Sequence, residues 1–281
     1  MCCPFLREGR ARYCNAAPIR KLILSGPGAM DGGKCLLPEH RDCALLRLDP
    51  GPDRCPHLEE IHVQYCGAAP VAQLVPFSES GRSRCNNGSY RYCETYLGRA
   101  RPHPAAGPPP GLLFSPNHLW LDTGEDGLCH IGLDGFLVNA VGSVDSITFV
   151  TPGGTRKPTV TLQVNQVEWP LTFPNPIMIQ SVNSYLQSDP HRLTADPYGG
   201  GWLFQGWEVP GRTRAGLIGG DHAAAWQQDE RDRLTEYIHA AHAEAADGGE
   251  AMPGLARHLS RRDAVTLFQQ FFGRTTWNPE E

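Results

Sequence analysis

One alternating stretch decides the fold of the second half of this chain: Val160-Thr161-Leu162-Gln163-Val164-Asn165-Gln166-Val167-Glu168-Trp169-Pro170-Leu171. Apolar side chains recur at every second position on both sides of the polar pair Asn165-Gln166, which is the pattern of a β-strand with one buried face. A polar pair between two such runs is typical of a two-residue β-hairpin turn. The sequence therefore predicts two antiparallel strands with Asn165 and Gln166 at their tip.

Segments on either side of this hairpin carry similar signals and four recognisable motifs. Ile177-Met178-Ile179-Gln180-Ser181-Val182 is another short strand, and Gly, Pro and Asn separate such runs, as in a small antiparallel domain. The motifs are, in chain order, His118-Leu119-Trp120-Leu121, Ile131-Gly132-Leu133-Asp134, Ser181-Val182-Asn183 and Asp196-Pro197-Tyr198-Gly199-Gly200-Gly201-Trp202-Leu203. In this order they resemble the glycine cleavage H protein over about residues 112–208.

The resemblance implies a barrel-sandwich hybrid, in which two small antiparallel sheets form pseudo-symmetric halves that face each other. In that family a lysine at the tip of a tight hairpin carries lipoate on its amine. Counting back from Pro174, which aligns with the family's Ser-Pro-x-Ser-Gly turn, puts Gln166 at the lipoyl-attachment position. Gln163 replaces the family's glutamate three residues earlier, and Ile177 replaces the glycine of that turn.

The residue at the attachment position decides what this domain can carry. The amide nitrogen of Gln166 is delocalised into its carbonyl group and is not nucleophilic, so no ligase can form the lipoyl amide there. The nearest lysine, Lys157, is separated from the tip by an entire predicted strand, and no lysine follows it. We therefore expect no lipoate on this chain.

The first hundred residues contain a duplication that carries eight of the ten cysteines. Cys3-Pro4-Phe5-Leu6 returns 52 residues later as Cys55-Pro56-His57-Leu58, and Tyr13-Cys14 returns as Tyr65-Cys66. Each repeat, residues 3–43 and 55–93, holds four cysteines in nearly constant register. These are Cys3, Cys14, Cys35 and Cys43 in the first repeat and Cys55, Cys66, Cys85 and Cys93 in the second.

Four converging thiolates suit Zn²⁺ or a [4Fe-4S] cluster, because both favour soft sulfur ligands in a near-tetrahedral array. Cytoplasmic thiols stay reduced, so regular spacing there points to metal more than to disulfides. We predict one metal centre per repeat, zinc or [4Fe-4S], with disulfides or buried reduced cysteines as the alternatives. A helix from Cys3 to Cys14 would part their sulfurs by roughly 16 Å, so a shared metal requires the chain to fold back between them.

Changes in composition divide the chain into four segments. A linker rich in Pro and Gly at 99–111 separates a cysteine module of short helices and loops, 1–98, from the barrel-sandwich domain, 112–210. Residues 211–281 form an extension with two predicted helices that pack on the barrel, with a docking surface as the alternative. The fold class is therefore α+β.

The two C-terminal helices are predicted from their caps and apolar stripes. Asp221 is the expected N-cap of the first, which ends before Gly248, and Ser260 caps the second with Asp263 three residues on. The stripes are Trp226, Leu234, Tyr237, Ile238 and Ala241 on the first helix and Val265, Phe268, Phe271 and Phe272 on the second.

Composition also argues against several partners. The net charge of −5 and the isoelectric point near 6.1 give no basic surface for nucleic acid or for anionic lipid. No apolar run approaches the roughly 20 residues of a membrane-spanning helix, and Met1-Cys2-Cys3-Pro4 lacks the layout of a signal peptide. We expect a cytoplasmic protein that binds neither nucleic acid nor membrane.

The sequence contains no recognisable catalytic motif. Phosphate loops, the Gly-x-Ser-x-Gly elbow, His-Glu-x-x-His and Gly-x-Gly-x-x-Gly after a strand are all missing. The chain is therefore predicted to be no enzyme but an interaction or adaptor protein with protein partners. An iron–sulfur electron-transfer component that docks partners through the same domain is the alternative, and an H-protein-type lipoyl carrier is the third.

Overall fold

The computed structural model describes residues 2–16, 18–23, 34–36, 38–46, 54–69, 73–75, 83–99, 108–241 and 254–273. The chain forms two compact units, Met1–Tyr90 and Arg91–Glu281. The division thus falls between Tyr90 and Arg91, before the boundary predicted at residue 98, and residues 100–107 of the predicted linker lie outside the described residues. Within the described part, no helix combines the length and apolar character needed to cross a membrane.

The first unit is built on a four-stranded antiparallel sheet with the order β2-β1-β3-β4. Its strands are β1 Leu6–Cys14, β2 Lys21–Ile23, β3 Leu58–Cys66 and β4 Gln73–Val75. Short 3₁₀ helices follow the strands at Lys34–Leu36, Pro38–Asp42, Arg84–Asn86 and Gly88–Tyr92. The predicted short helices are present, and a four-stranded sheet accompanies them, because the long strand of each repeat finds its pairing partner in the other repeat.

The second unit contains two antiparallel sheets, one of six strands in the order β5-β6-β7-β13-β12-β9 and one of three in the order β11-β10-β8. The strands are β5 Leu113–Phe114, β6 Leu119–Thr123, β7 Leu128–Leu133, β8 Ser146–Phe149, β9 Gly154–Arg156, β10 Thr159–Val164, β11 Val167–Thr172, β12 Ile177–Val182 and β13 Phe204–Glu208. The helices are α1 Glu94–Leu97, α2 Gly135–Val141, α3 Tyr185–Ser188, α4 His191–Ala195, α5 Asp221–Ala241, α6 Leu255–His258 and α7 Arg261–Leu267, the last continued by a π-helical turn at Phe268–Phe272.

The predicted α+β class and the barrel-sandwich architecture are confirmed. The hairpin of β10 and β11 has the predicted alternation, since its inward side chains are all buried in the core of the second unit. These side chains are Val160, Leu162, Val164, Val167, Trp169 and Leu171.

Side-chain contacts join the four sequence motifs into one structure. Trp120 on β6 pairs with Gly132 on β7, where a Cβ atom would come within 2.4 Å of the indole ring. The indole nitrogen of Trp120 donates to the carbonyl oxygen of Pro197 at 3.1 Å. The amide of Asn183 donates to the carbonyl oxygens of Gly200 and Trp202 at 2.9 and 2.8 Å. The motifs are therefore packing and hydrogen-bonding partners of one another.

The C-terminal helices pack on the barrel as predicted. Phe272 stacks on Trp169 of β11 with ring centroids 5.5 Å apart, and Ser260 caps α7 by accepting a hydrogen bond from the Asp263 N–H at 3.2 Å. Val265 departs from the predicted apolar face, because 37% of it is exposed. The side chains of Asp221 and Ala241, as well as Gly248, lie outside the described residues.

A buried ionic group fixes α5 to the barrel. His118 Nδ1 lies 2.8 Å from Asp134 Oδ2, and His118 Nε2 lies 3.6 Å from Glu230 Oε2 on α5. Trp226, one turn earlier on the helix, stacks on the imidazole with centroids 4.9 Å apart. Arg233 forms an ion pair with the same Glu230.

The charges of this group shift its pKa values in opposite directions. Burial opposes the charged form of His118, but Asp134 and Glu230 outweigh it and hold the pKa of His118 above its ordinary value. Burial also works to raise the pKa of Glu230, yet His118 and Arg233 hold that pKa below its ordinary value. The stabilisation by His118 is complete below about pH 6.5 and is lost as the pH rises through its raised pKa. The stabilisation by Glu230 is present above about pH 4.3 and is lost as the pH falls through its lowered pKa.

We expect Glu230→Gln to lower the free energy of unfolding by about 1–3 kcal/mol at pH 6, because it removes a carboxylate beside a buried imidazolium. The loss should be smaller at pH 9, because the charged form of His118 is less populated at the higher pH. Denaturant unfolding monitored by tryptophan fluorescence at both pH values measures the difference. Asp229→Asn, an exposed carboxylate next to Glu230 on the same helix, is the control. Equal losses for Glu230→Gln at the two pH values would contradict the assignment.

Candidate functional site

The cysteines predicted to bind metal are all described, but they are not grouped by repeat. Seven lie in the first unit, and Cys93 lies in the second unit at the N-cap of α1. The nine residues of β1 are extended, so Leu6 and Cys14 are roughly 26 Å apart at about 3.3 Å per residue. The chain therefore does not fold back between Leu6 and Cys14, as one metal shared by Cys3 and Cys14 would require.

Antiparallel pairing of the long strands brings cysteines of different repeats together instead. Cys14 at the end of β1 pairs with Leu58, whose N–H donates to the carbonyl oxygen of Cys55 at 3.1 Å. Cys66 at the end of β3 pairs with Leu6, whose N–H donates to the carbonyl oxygen of Cys3 at 3.0 Å. Within the described residues, no three His, Cys, Asp or Glu side chains already form a metal-holding group.

The hairpin tip lies where the alternation placed it. Val164 and Val167 form the last pair of β10 and β11, and Asn165 and Gln166 between them have φ angles of 48° and 63°. Two left-handed residues form a turn whose twist suits a two-residue hairpin. The Gln166 side chain is exposed at this tip.

Polar contacts hold the tip from one side, and we name Ser143, Asp145, Asn165 and Arg257 the tip clamp. The Asn165 N–H donates to Asp145 Oδ2 at 2.9 Å, and the Asn165 side-chain amide donates to the Arg257 carbonyl oxygen at 3.5 Å. The Arg257 guanidinium donates to Asp145 Oδ1 at 2.9 Å and to Ser143 Oγ at 2.7 Å. One arginine from α6 therefore ties the tip to the segment between α2 and β8.

Two glycines allow α6 to come this close. The Gly254 N–H donates to the carbonyl oxygen of Asn139 at 2.7 Å, and a Cβ atom on Gly142 would lie 2.3 Å from the Gly254 Cα. Both glycines have positive φ angles, 76° and 81°. A side chain at position 142 would therefore push α6 away from the hairpin tip.

Comparisons with known proteins match the barrel domain of this chain. The family model described as Glycine cleavage H-protein matches residues 112–214. The glycine cleavage system H protein of Streptomyces coelicolor is 30% identical over 106 residues, which cover 34% of this chain and 80% of that protein. The chain belongs to the glycine cleavage H-protein family. A crystal structure of the H protein of Mycobacterium marinum is 22% identical, covers 43% of this chain and 97% of that one, and gives a TM-score of 0.37.

The H-protein family match covers the barrel domain, and the hairpin tip lies within the matched residues. The position predicted for lipoyl attachment holds Gln166, and Lys157 lies before the opposite end of β10. About seven residues of extended chain at about 3.3 Å each separate Lys157 from the tip. An amine therefore cannot reach the tip by a small local shift of the chain.

The sequence pattern predicts Gln166 at the tip but does not predict the residues that contact the tip. Asp145 and Arg257 are 112 positions apart in the sequence. Neither stands in a motif of its own, and α6 is a single short turn with no cap hydrogen bond from a side chain. The signal for the tip clamp lies in the folded backbone and not in any local pattern.

We expect Arg257→Ala to speed amide hydrogen exchange at Asn165, because Asp145 loses the cation that orients its carboxylate. The effect on global stability should stay below about 1 kcal/mol, since both side chains of the ion pair are 40% exposed. Hydrogen–deuterium exchange with mass spectrometry or NMR measures the change. Arg261→Ala, an exposed arginine on the neighbouring helix, is the matched control. Unchanged exchange at the tip in Arg257→Ala would show that the clamp does not restrain it.

Proposed function

We propose that this protein is a non-catalytic interaction protein. Its H-protein-like domain offers partners a docking surface and no lipoyl arm, and its N-terminal unit binds metal through its cysteines. One observation carries the proposal: an exposed glutamine, Gln166, stands at the hairpin tip where the family's carrier function needs an amine.

The chemical difference between a glutamine amide and a lysine amine supports a loss of carrier function. A ligase that attaches lipoate joins a carboxyl group to a nucleophilic amine, whereas the lone pair of an amide nitrogen is shared with its carbonyl group. Gln166 can donate and accept hydrogen bonds at the tip, and it cannot form the lipoyl amide. A partner that recognises the tip would therefore meet a polar recognition group and no reactive arm.

The hydrogen bonds of the tip clamp favour a hairpin tip that is held in one conformation. The Asn165 N–H and its side-chain amide are both engaged, one by Asp145 and the other by the Arg257 carbonyl. Phe268 and Phe272 pack on Trp169 in the middle of the same hairpin, with centroids 5.5 Å apart in both pairs. A surface held in one conformation loses little entropy when a partner binds, which favours docking.

The relationship to the H-protein family indicates which kind of protein would bind this domain. In the H-protein family this domain is presented to partner enzymes. A copy that keeps the barrel and lacks the arm would retain docking while it delivers no cargo. Protein partners of that type are consistent with a net charge of −5, which offers no basic field for nucleic acid.

Expression with an active lipoate ligase tests the tip chemistry. We expect the wild-type chain to keep its unmodified mass, because no amine stands at the tip. Gln166→Lys supplies the amine with one substitution, and a lipoyl-sized increase in its intact mass would show that the ligase still recognises the domain. A lipoyl adduct on the wild-type chain, at any residue, would overturn the proposal.

Competition with a lipoylated H protein tests docking. Added to a glycine cleavage reaction limited by its H protein, this chain should lower the rate in a dose-dependent way that excess lipoylated H protein reverses. A variant with Arg257→Ala, in which the tip clamp is broken, should inhibit less than Arg261→Ala. No inhibition at a large excess of the chain would reject docking to that class of partner.

A further inference from the structure

The two repeats of the first unit are related by a two-fold axis through the middle of their long strands. Leu6 pairs with Cys66, and Leu58, the repeat equivalent of Leu6, pairs with Cys14. Arg10 pairs with its own equivalent, His62. Each repeat therefore delivers the end of its long strand to the beginning of the other repeat's strand.

Backbone hydrogen bonds extend this exchange to the segments that follow the strands. The Cys55 N–H donates to the carbonyl oxygen of Cys35 at 3.1 Å, and the Cys3 N–H donates to the carbonyl oxygen of Cys85 at 2.8 Å. Cys3 and Cys55 are equivalent positions, as are Cys35 and Cys85. The first cysteine of each repeat thus lies against the third cysteine of the other.

Cys43 stays close to Cys35 through local structure. The 3₁₀ helices Lys34–Leu36 and Pro38–Asp42 follow one another directly and pack together. The Cys43 N–H closes the second of them by donating to the His40 carbonyl oxygen at 3.1 Å. Cys43 therefore belongs to the same end of the sheet as Cys35 and Cys55.

We propose that each metal site of the first unit takes its ligands from both repeats. Cys14, Cys35 and Cys43 of the first repeat join Cys55 of the second in one site. At the other end of the sheet, Cys66 and Cys85 of the second repeat join Cys3 of the first. This proposal rests on the metal-binding role given to the first unit above.

The chemistry of the first set fits a tetrahedral site for Zn²⁺ or an iron–sulfur cluster. Thiolate sulfurs bind Zn²⁺ at about 2.3 Å, and four of them close a structural site. Cys55 is buried, while Cys14, Cys35 and Cys43 are half-buried, so that the set is shielded yet reachable. The thiols do not converge in this structure, and one step of χ1 between staggered rotamers moves a sulfur by about 3 Å.

Crossed sites give the metal a structural role that sites within one repeat would lack. A metal bound by Cys14 and Cys55 would cross-link β1 to the turn before β3, and its counterpart would link Cys66 to Cys3. Both links close the same central strand pair, one at each end. Metal binding would then stabilise the sheet directly, as in small domains whose binding free energy is folding free energy.

Two double variants of the full chain separate crossed sites from sites within one repeat. Cys14→Ser with Cys55→Ser removes two ligands from a single crossed site. Cys3→Ser with Cys14→Ser removes one ligand from each crossed site, although both residues belong to one repeat. Metal per chain, measured by plasma mass spectrometry on freshly purified protein, is compared with the wild type. Cobalt substitution adds a thiolate charge-transfer band that reports the sites that remain.

We expect the Cys14/Cys55 variant to keep about half of the wild-type metal and the Cys3/Cys14 variant to keep much less. The reverse order, or equal retention, would overturn the crossed arrangement while leaving metal binding in place. Wild-type protein with no zinc or iron would instead reject the metal-binding role itself.

As a check on folding, Cys14→Ser alone should expose Cys35, Cys43 and Cys55 to alkylation before Cys3, Cys66 and Cys85. If Cys3 becomes reactive together with Cys35 and Cys43 while Cys55 stays protected, the crossed arrangement is wrong.

Discussion

The register of the β10–β11 hairpin is the constraint that fixes Gln166 at the tip of the barrel domain. Six alternating side chains of this hairpin are buried in one core, so a slip of one residue would turn all of them to solvent. Burying a Val or Leu side chain contributes about 1.5–3 kcal/mol, so no slipped register can compete. The turn is therefore fixed at Asn165 and Gln166, and Lys157 cannot be moved to the tip by a different pairing of the strands.

The C-terminal extension completes the barrel at the places where this hairpin would otherwise be open. Phe268 and Phe272 cover Trp169, and Arg257 closes the tip through Asp145. The close approach of α6 depends on Gly142 and Gly254, and the position of α5 depends on the buried pair of His118 and Glu230.

Local patterns predicted what local forces determine. The alternation around Asn165 and the cap at Ser260 are both correct, because a strand's buried face and an N-cap hydrogen bond involve residues close in sequence. The exposure of Val265 and the role of Arg257 were missed, because each depends on which distant element lies beside the residue. The apolar stripe of a helix predicts which side of the helix is buried. How many residues of that stripe are buried depends on the element that packs against it.

The arrangement of the cysteines in the first unit also depends on contacts between distant residues. The duplication is plain in the sequence, and the spacing of the cysteines predicts one metal site within each repeat. Such a site needs a bend between Cys3 and Cys14, whereas β1 is extended over all nine of its residues and pairs with β3 along its whole length. When two equivalent strands pair antiparallel, the end of each strand lies beside the beginning of the other. Leu6 therefore pairs with Cys66, and Leu58 pairs with Cys14. In this register Cys14 lies opposite Leu58, whose N–H bonds to Cys55, and the extended β1 separates Cys14 from Cys3 of its own repeat.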